Sequence, residues 1–178
     1  MDYHADYHVP ETREKRRARQ ALVRDQLEPL EALCRRLLVG YGLDEEYTIE
    51  RERSYHRDLA EVRIRRRQGQ WEGFHFACMI RLRRDGELVM DARLSKHGKR
   101  AVATLKRLRE YLYRHPIPGW PPPRVKLHNV FSMRQLRLVS YRPQPHFPGD
   151  LEEYFRSAFE EVLIPLRPRI DGFLQEDG

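Results

Sequence analysis

Lysine is nearly missing from a basic chain. Of 34 Lys and Arg residues only Lys15, Lys96, Lys99, Lys106 and Lys126 are lysines, which leaves 29 arginines. Such a bias, with many Leu and Pro, also arises from a GC-rich genome, so function must be argued from where the charge sits. Cysteine is scarcer: Cys34 and Cys78 each lie among apolar neighbours. Two thiols cannot make a disulfide framework, and buried reduced cysteines are the expected state. A single disulfide between them is the other reading. No apolar run approaches the length that spans a bilayer. The first ten residues are polar and acidic, unlike a secretory leader. A cytoplasmic protein with no membrane partner is expected.

What is present fits a folded domain. The chain has 178 residues, 40% of them hydrophobic, 10% aromatic and 34% charged. That length suits one domain with a real core, and disordered chains are poorer in aromatics. The net charge of +7 favours polyanion partners.

Residues 1–10 read as a flexible arm in which Asp-Tyr-His occurs twice. Its His4 and His8 would share a helix face, but no third ligand is near, so no metal site is expected. Residues 11–178 read as one domain. Its helical segment, 11–42, has a basic helix over Thr12–Arg24. Asp25-Gln26-Leu27-Glu28 then matches a capping box. Either the helix restarts there, with Pro29 in a tolerant first turn, or one long helix kinks. Leu30, Leu33, Cys34, Leu37 and Leu38 have helical spacing, and Gly40 and Gly42 end the run.

The segment 45–115 reads as a sheet followed by a helix. Tyr47–Tyr55 is a polar, peripheral strand. In Leu59–Arg67, Ala60, Val62 and Ile64 alternate with Glu61, Arg63, Arg65 and Arg67, the pattern of a strand with one face packed and one in water. Phe74, Phe76, Cys78, Ile80 and Leu82 continue the packed face. The return strand supplies Leu88, Met90, Ala92 and Leu94. A two-residue Asp85-Gly86 turn would oppose Ile80 to Asp91. A three-residue loop, Arg84-Asp85-Gly86, opposes Leu82 to Leu88, Ile80 to Met90 and Cys78 to Ala92, with Gly86 at the left-handed position. The second register is expected.

A helix is expected from about Gly98 to Arg114, ended by His115-Pro116. Its inner stripe is Ala101, Val102, Leu105, Leu108 and Leu112. The other face carries Lys96, Lys99, Arg100, Lys106, Arg107 and Arg114 against Glu110. A Pro-rich linker covers 116–123. The remainder, 124–178, holds short strands at Val125–Phe131 and Leu136–Tyr141 and a last helix capped by Asp150. From 150 onward eight acids face three arginines. The fold class is therefore α+β: an N-terminal helix, an antiparallel four-stranded meander, a helix packed on the sheet, two further short strands and a C-terminal helix.

No catalytic constellation stands out. His56-Arg57-Asp58 copies the start of the protein-kinase catalytic loop, but the asparagine due five residues after the Asp is Arg63 and every companion motif is missing. His75 and His128 would need an acid or nucleophile brought beside them by the fold. No cofactor is expected. Ser95-Lys96-His97-Gly98-Lys99-Arg100 lies at a helix start, where free N–H groups and the dipole favour phosphate; the glycine spacing of a nucleotide loop is absent.

Three elements thus carry cations, and arginine binds phosphate bidentately. The expected function is non-catalytic binding of a nucleic-acid backbone, DNA or RNA, through Arg63, Arg65, Arg67, Lys96, Lys99, Arg100, Lys106, Arg107 and Arg137. Trp71, Trp120, Tyr55 or Tyr141 could add base stacking. The alternative is a protein-interaction module of a larger assembly, docked through the basic first helix and the acidic C-terminal part. Over roughly residues 47–115, the order of four strands and one helix resembles the unit of the Whirly and PUR single-strand-binding families. The resemblance implies a sheet used for single-stranded nucleic acid.

Overall fold

The computed structural model describes residues 12–51, 58–67, 71, 73–83, 85–96, 98, 100–119, 126–130, 133–137 and 151–177. The 1–10 arm, most of the Pro-rich linker, Tyr55, Trp120 and Tyr141 lie outside them.

Thr12 caps the first helix, α1 (Arg13–Asp25), by accepting from the Lys15 N–H. The chain then breaks at Gln26 and restarts as α2 (Leu27–Gly40). The capping box expected at Asp25 is not made. Gln26 holds the cap position without a side-chain bond, and Asp25 turns to Arg24 at 3.8 Å. Pro29 falls in the first turn, where its missing N–H costs nothing.

Four antiparallel strands follow in sequential order: β1 (Tyr47–Arg51), β2 (Leu59–Arg66), β3 (Phe74–Leu82) and β4 (Leu88–Lys96). The β3–β4 register pairs Leu82 with Leu88, Ile80 with Met90 and Cys78 with Ala92, as the apolar pattern requires. Arg83 and Glu87 close the turn through a 2.8 Å backbone bond. Gly86 takes a φ of 84°, a conformation that a Cβ disfavours.

After the sheet come α3 (Ala101–Arg114) and the hairpin β5 (Lys126–Val130) and β6 (Met133–Arg137). The second hairpin strand starts three residues earlier than expected. β6 lies against β4 and α3. The chain ends in α4 (Leu151–Ala158), a π-helical turn over Phe159–Leu163, and α5 (Ile164–Asp177). Pro165 lacks the N–H that a regular helix would give to the Glu161 carbonyl, inside the widened turn, and Pro168 sits within α5.

The core forms between one face of the sheet and the helices. Ala60, Val62, Ile64, Phe76, Cys78, Ile80, Met90, Ala92 and Leu94 meet Leu30, Leu33 and Cys34 of α2, Leu105 and Leu108 of α3, and Phe155, Phe159 and Leu166 of the C-terminal helices. Both cysteines are buried and free. Burial, with Cys34 beside it, holds the Cys78 thiol well above its ordinary pKa.

Candidate nucleic-acid interface

The second face of the sheet is largely buried, with Arg65, Arg81 and Arg93 partly exposed. Its side chains alternate with the core residues, so Glu61, Arg63, His75, Asp91 and Ser95 all point there, and all five are buried. Met79 stands between Glu61 and Asp91, and Ala77 between Arg63 and Arg93. Buried charges persist only where opposite charges meet them. Arg63 donates to Glu61 at 2.8 Å, Arg81 approaches Asp91 at 3.2 Å, and Arg65 reaches Glu50 on β1 at 3.1 Å. The Arg63–Glu61 pair is internal, Asp91 is buried against a partly exposed Arg81, and the Arg65–Glu50 pair reaches solvent.

The expected phosphate surface is corrected accordingly. Arg63 is inside and bound to an acid. Lys96 is also buried, 7% exposed, and lies on the core side: it opposes Phe74 in the register and sets its Nζ over that ring, 4.6 Å from the centroid. The long aliphatic stem makes such burial tolerable, with a cation–π contact at its end. Arg65 is half-buried and paired. Arg67 is exposed but donates to the Asp44 carbonyl at 3.0 Å. Lys99 and His97 lie outside the described residues. Arg137 closes β6 opposite Lys126.

Trp71 is likewise inside. Its ring meets Tyr47 edge-on at 5.3 Å, and its Nε1 donates to Asp171 at 2.9 Å, so it is not a stacking platform. Of the kinase-like triplet, His56 and Arg57 lie outside the described residues. Asp58 accepts from Arg16 at 2.6 Å and Gln20 at 2.8 Å, tying α1 to β2.

The remaining cations converge on α3. Ala101, Thr104, Leu105, Leu108, Tyr111 and Leu112 face inward. The opposite side exposes Arg100, Lys106, Arg107 and Arg114. Arg100, Arg107 and Arg114 recur every seven residues, two helical turns, so they form one straight stripe with steps of about 10 Å. Arg100 sits at the N-cap, where the positive end of the helix points. Arg107 meets Asp177 of α5 at 2.9 Å, and Arg114 meets Glu176 at 3.8 Å. Among the described residues Arg100 and Lys106 have no acid within ion-pair distance.

A second set of exposed cations lies on α1, where Arg13, Lys15 and Arg17 face solvent, and Leu22 is exposed on the same helix. Among the described residues no group of His, Cys, Asp and Glu has the arrangement of a metal site. None of the described helices is long and apolar enough to cross a membrane.

Sequence reading missed the buried polar set of Glu61, His75, Asp91 and Ser95. A signal was present: Phe74–Ile80 is almost continuously apolar, the mark of a strand covered on both sides. The chain matches no family model, no curated protein and no solved structure, so the resemblance to Whirly and PUR units gains no support beyond element order.

Proposed function

We propose that this protein binds the phosphate backbone of a nucleic acid, as a non-catalytic binding protein or accessory subunit, through the outward face of α3. The observation that carries the reading is the stripe Arg100, Arg107 and Arg114 with Lys106 beside it. Cations on one rigid helix keep their spacing, and each phosphate they neutralise releases counterions. Lys99 belongs to the same proposed surface by its place in the sequence. Arg63 and Lys96 do not, because both are buried.

The test is a polarisation titration of a labelled single-stranded oligonucleotide and the matching duplex across a salt series. Replacing Arg100 and Lys106 with alanine is expected to reduce the log–log salt slope by about 1.4 on the single strand, at about 0.7 per phosphate. An unchanged slope rejects α3 as the interface.

A second reading, a subunit of a larger assembly, is favoured by α1. Its Arg13, Lys15 and Arg17 are exposed, and Leu22, two turns on from Lys15, is 51% exposed, a mix that suits an acidic protein partner. Recovery of a stoichiometric protein complex after nuclease treatment, lost on replacing Arg13 and Arg17, would support it. The proposed setting for either role is the cytoplasm, where two unpaired thiols stay reduced.

A further inference from the structure

We infer that α5 carries a built-in competitor for the α3 stripe: Asp177 and Glu176 occupy the cations that a polyphosphate would use. This rests on the α3 reading and adds its regulation. The arrangement is specific in three ways.

The stripe has three arginines, and the acids of α5 sit on two of them. Asp177 holds Arg107 at 2.9 Å, and Glu176 lies 3.8 Å from Arg114 and 3.9 Å from His115. Arg100, nearest the helix N-terminus, is left clear. The acids are also delivered by packing rather than by a loose tail. Phe173 of α5 meets Tyr111 of α3 edge-on at 5.8 Å. Gly172 lets the helices approach so closely that a Cβ there would fall 2.4 Å from the Tyr111 hydroxyl. The carboxylates follow one turn later on the same helix.

Third, the contacts are weak enough to be displaced. Arg107 and Arg114 side chains are 55% and 65% exposed, Glu176 is 51% exposed and Asp177 28%. Exposed pairs of this kind are individually marginal and salt-screened. A ligand that brings several linked phosphates can replace two such carboxylates, whereas an isolated anion lacks the linked charges to do so. Binding is therefore weaker than the bare stripe would give, and selective for polyvalent anions.

The experiment uses the full chain and a labelled 20-nucleotide single strand as probe, compared with inorganic phosphate as competitor. The variant Glu176→Gln with Asp177→Asn keeps shape and removes two charges. It is expected to bind about 2- to 30-fold more tightly at low salt, the release of two exposed pairs. Its log–log salt slope should steepen by up to about 1.4. The control is Glu153→Gln with Glu161→Gln, which removes the same charge from exposed positions off the stripe.

Equal tightening in the control would overturn the inference, since overall charge would then explain the gain. Wild type and the α5 variant binding alike, with the salt slope still reduced in the Arg100 and Lys106 variant, would overturn the competitor and leave the α3 reading intact. No binding by any of the chains would reject both.

Discussion

The arginines of β2 and those of α3 look alike in sequence and live opposite lives in the fold. Arg63 and Arg65 stand every second residue on a strand, and Arg100 and Arg107 every seventh on a helix. The strand set faces a covered side of the sheet, where Arg63 is fastened to Glu61 and Arg65 to Glu50. The helix set faces outward. What separates them is where their acids stand: the β2 arginines meet Glu61 two residues away on the same strand and Glu50 on the neighbouring one, whereas among the described residues the ion-pair partners of the α3 stripe come from the last turn of α5. An arginine count measures neither situation, and a polyanion can use cations only where it can reach them or displace the acids that hold them.

The contrast can be broken most sharply at Glu61. Its Glu61→Ala variant would remove one of the partners of the buried Arg63, at a cost of up to about 3–5 kcal/mol. Urea unfolding should show the midpoint fall with an unchanged m-value. A loss below about 1 kcal/mol would mean the buried pair is as soft as the exposed pairs on α3. Gly172→Val probes the other side, because overpacking against Tyr111 should cost about 1–3 kcal/mol. It should also disturb the Arg107–Asp177 contact, so a thermal melt and the oligonucleotide titration should change together. The α3 variants, Arg100→Ala with Lys106→Ala, belong at the small end for stability, within about 0.5 kcal/mol each, while their salt slope moves as stated above.

The smallest effect is a pH dependence at an intermediate site. Glu31 on α2 accepts from Arg51 of β1 and from Arg35 at 2.7 Å. The bond from Arg51 is the main reason its carboxyl titrates below the ordinary 4.5, against a burial effect of opposite sign. A folded-state pKa that is depressed contributes stability above the unfolded value and loses it as the pH falls through the folded one. Stability should therefore decline below about pH 4.5, and Glu31→Gln should flatten that part of the curve. An acid titration followed by circular dichroism reads the difference, and an unchanged curve would show the pair to be spent on solvent.

Much of the fold was readable beforehand. Alternation in β2 specified which of its residues share the core face, and the Arg84-Asp85-Gly86 loop specified the β3–β4 register, because a slip by one would bury Asp91 against Ile80. The inner stripe of α3 was equally plain from its spacing, and the outward face that carries the functional proposal came with it. The second face of the sheet was misread for a physical reason. Charge alternating with apolar residues describes a solvated face and a largely buried, ion-paired one equally well, and the acids that tell them apart, Glu50 and Asp91, lie on other strands. Lys96 was misplaced similarly: the eight residues of β4 before it already fixed its side, but a cation at a strand end was read with the helix that follows.

Local patterning determined the α+β class, the meander, the core residues and the exposed basic face of α3, because hydrophobic period and turn chemistry act over a few residues. Tertiary structure decided which cations are spent. Strand pairing brought Asp91 to Arg81 and Glu50 to Arg65, long-range packing carried Glu176 and Asp177 to α3, and the fold buried the Glu61–Arg63 pair that β2 itself supplies. Charge pairing depends on positions in space, and residues separated by some 70 positions in the chain have no local signal that they will meet.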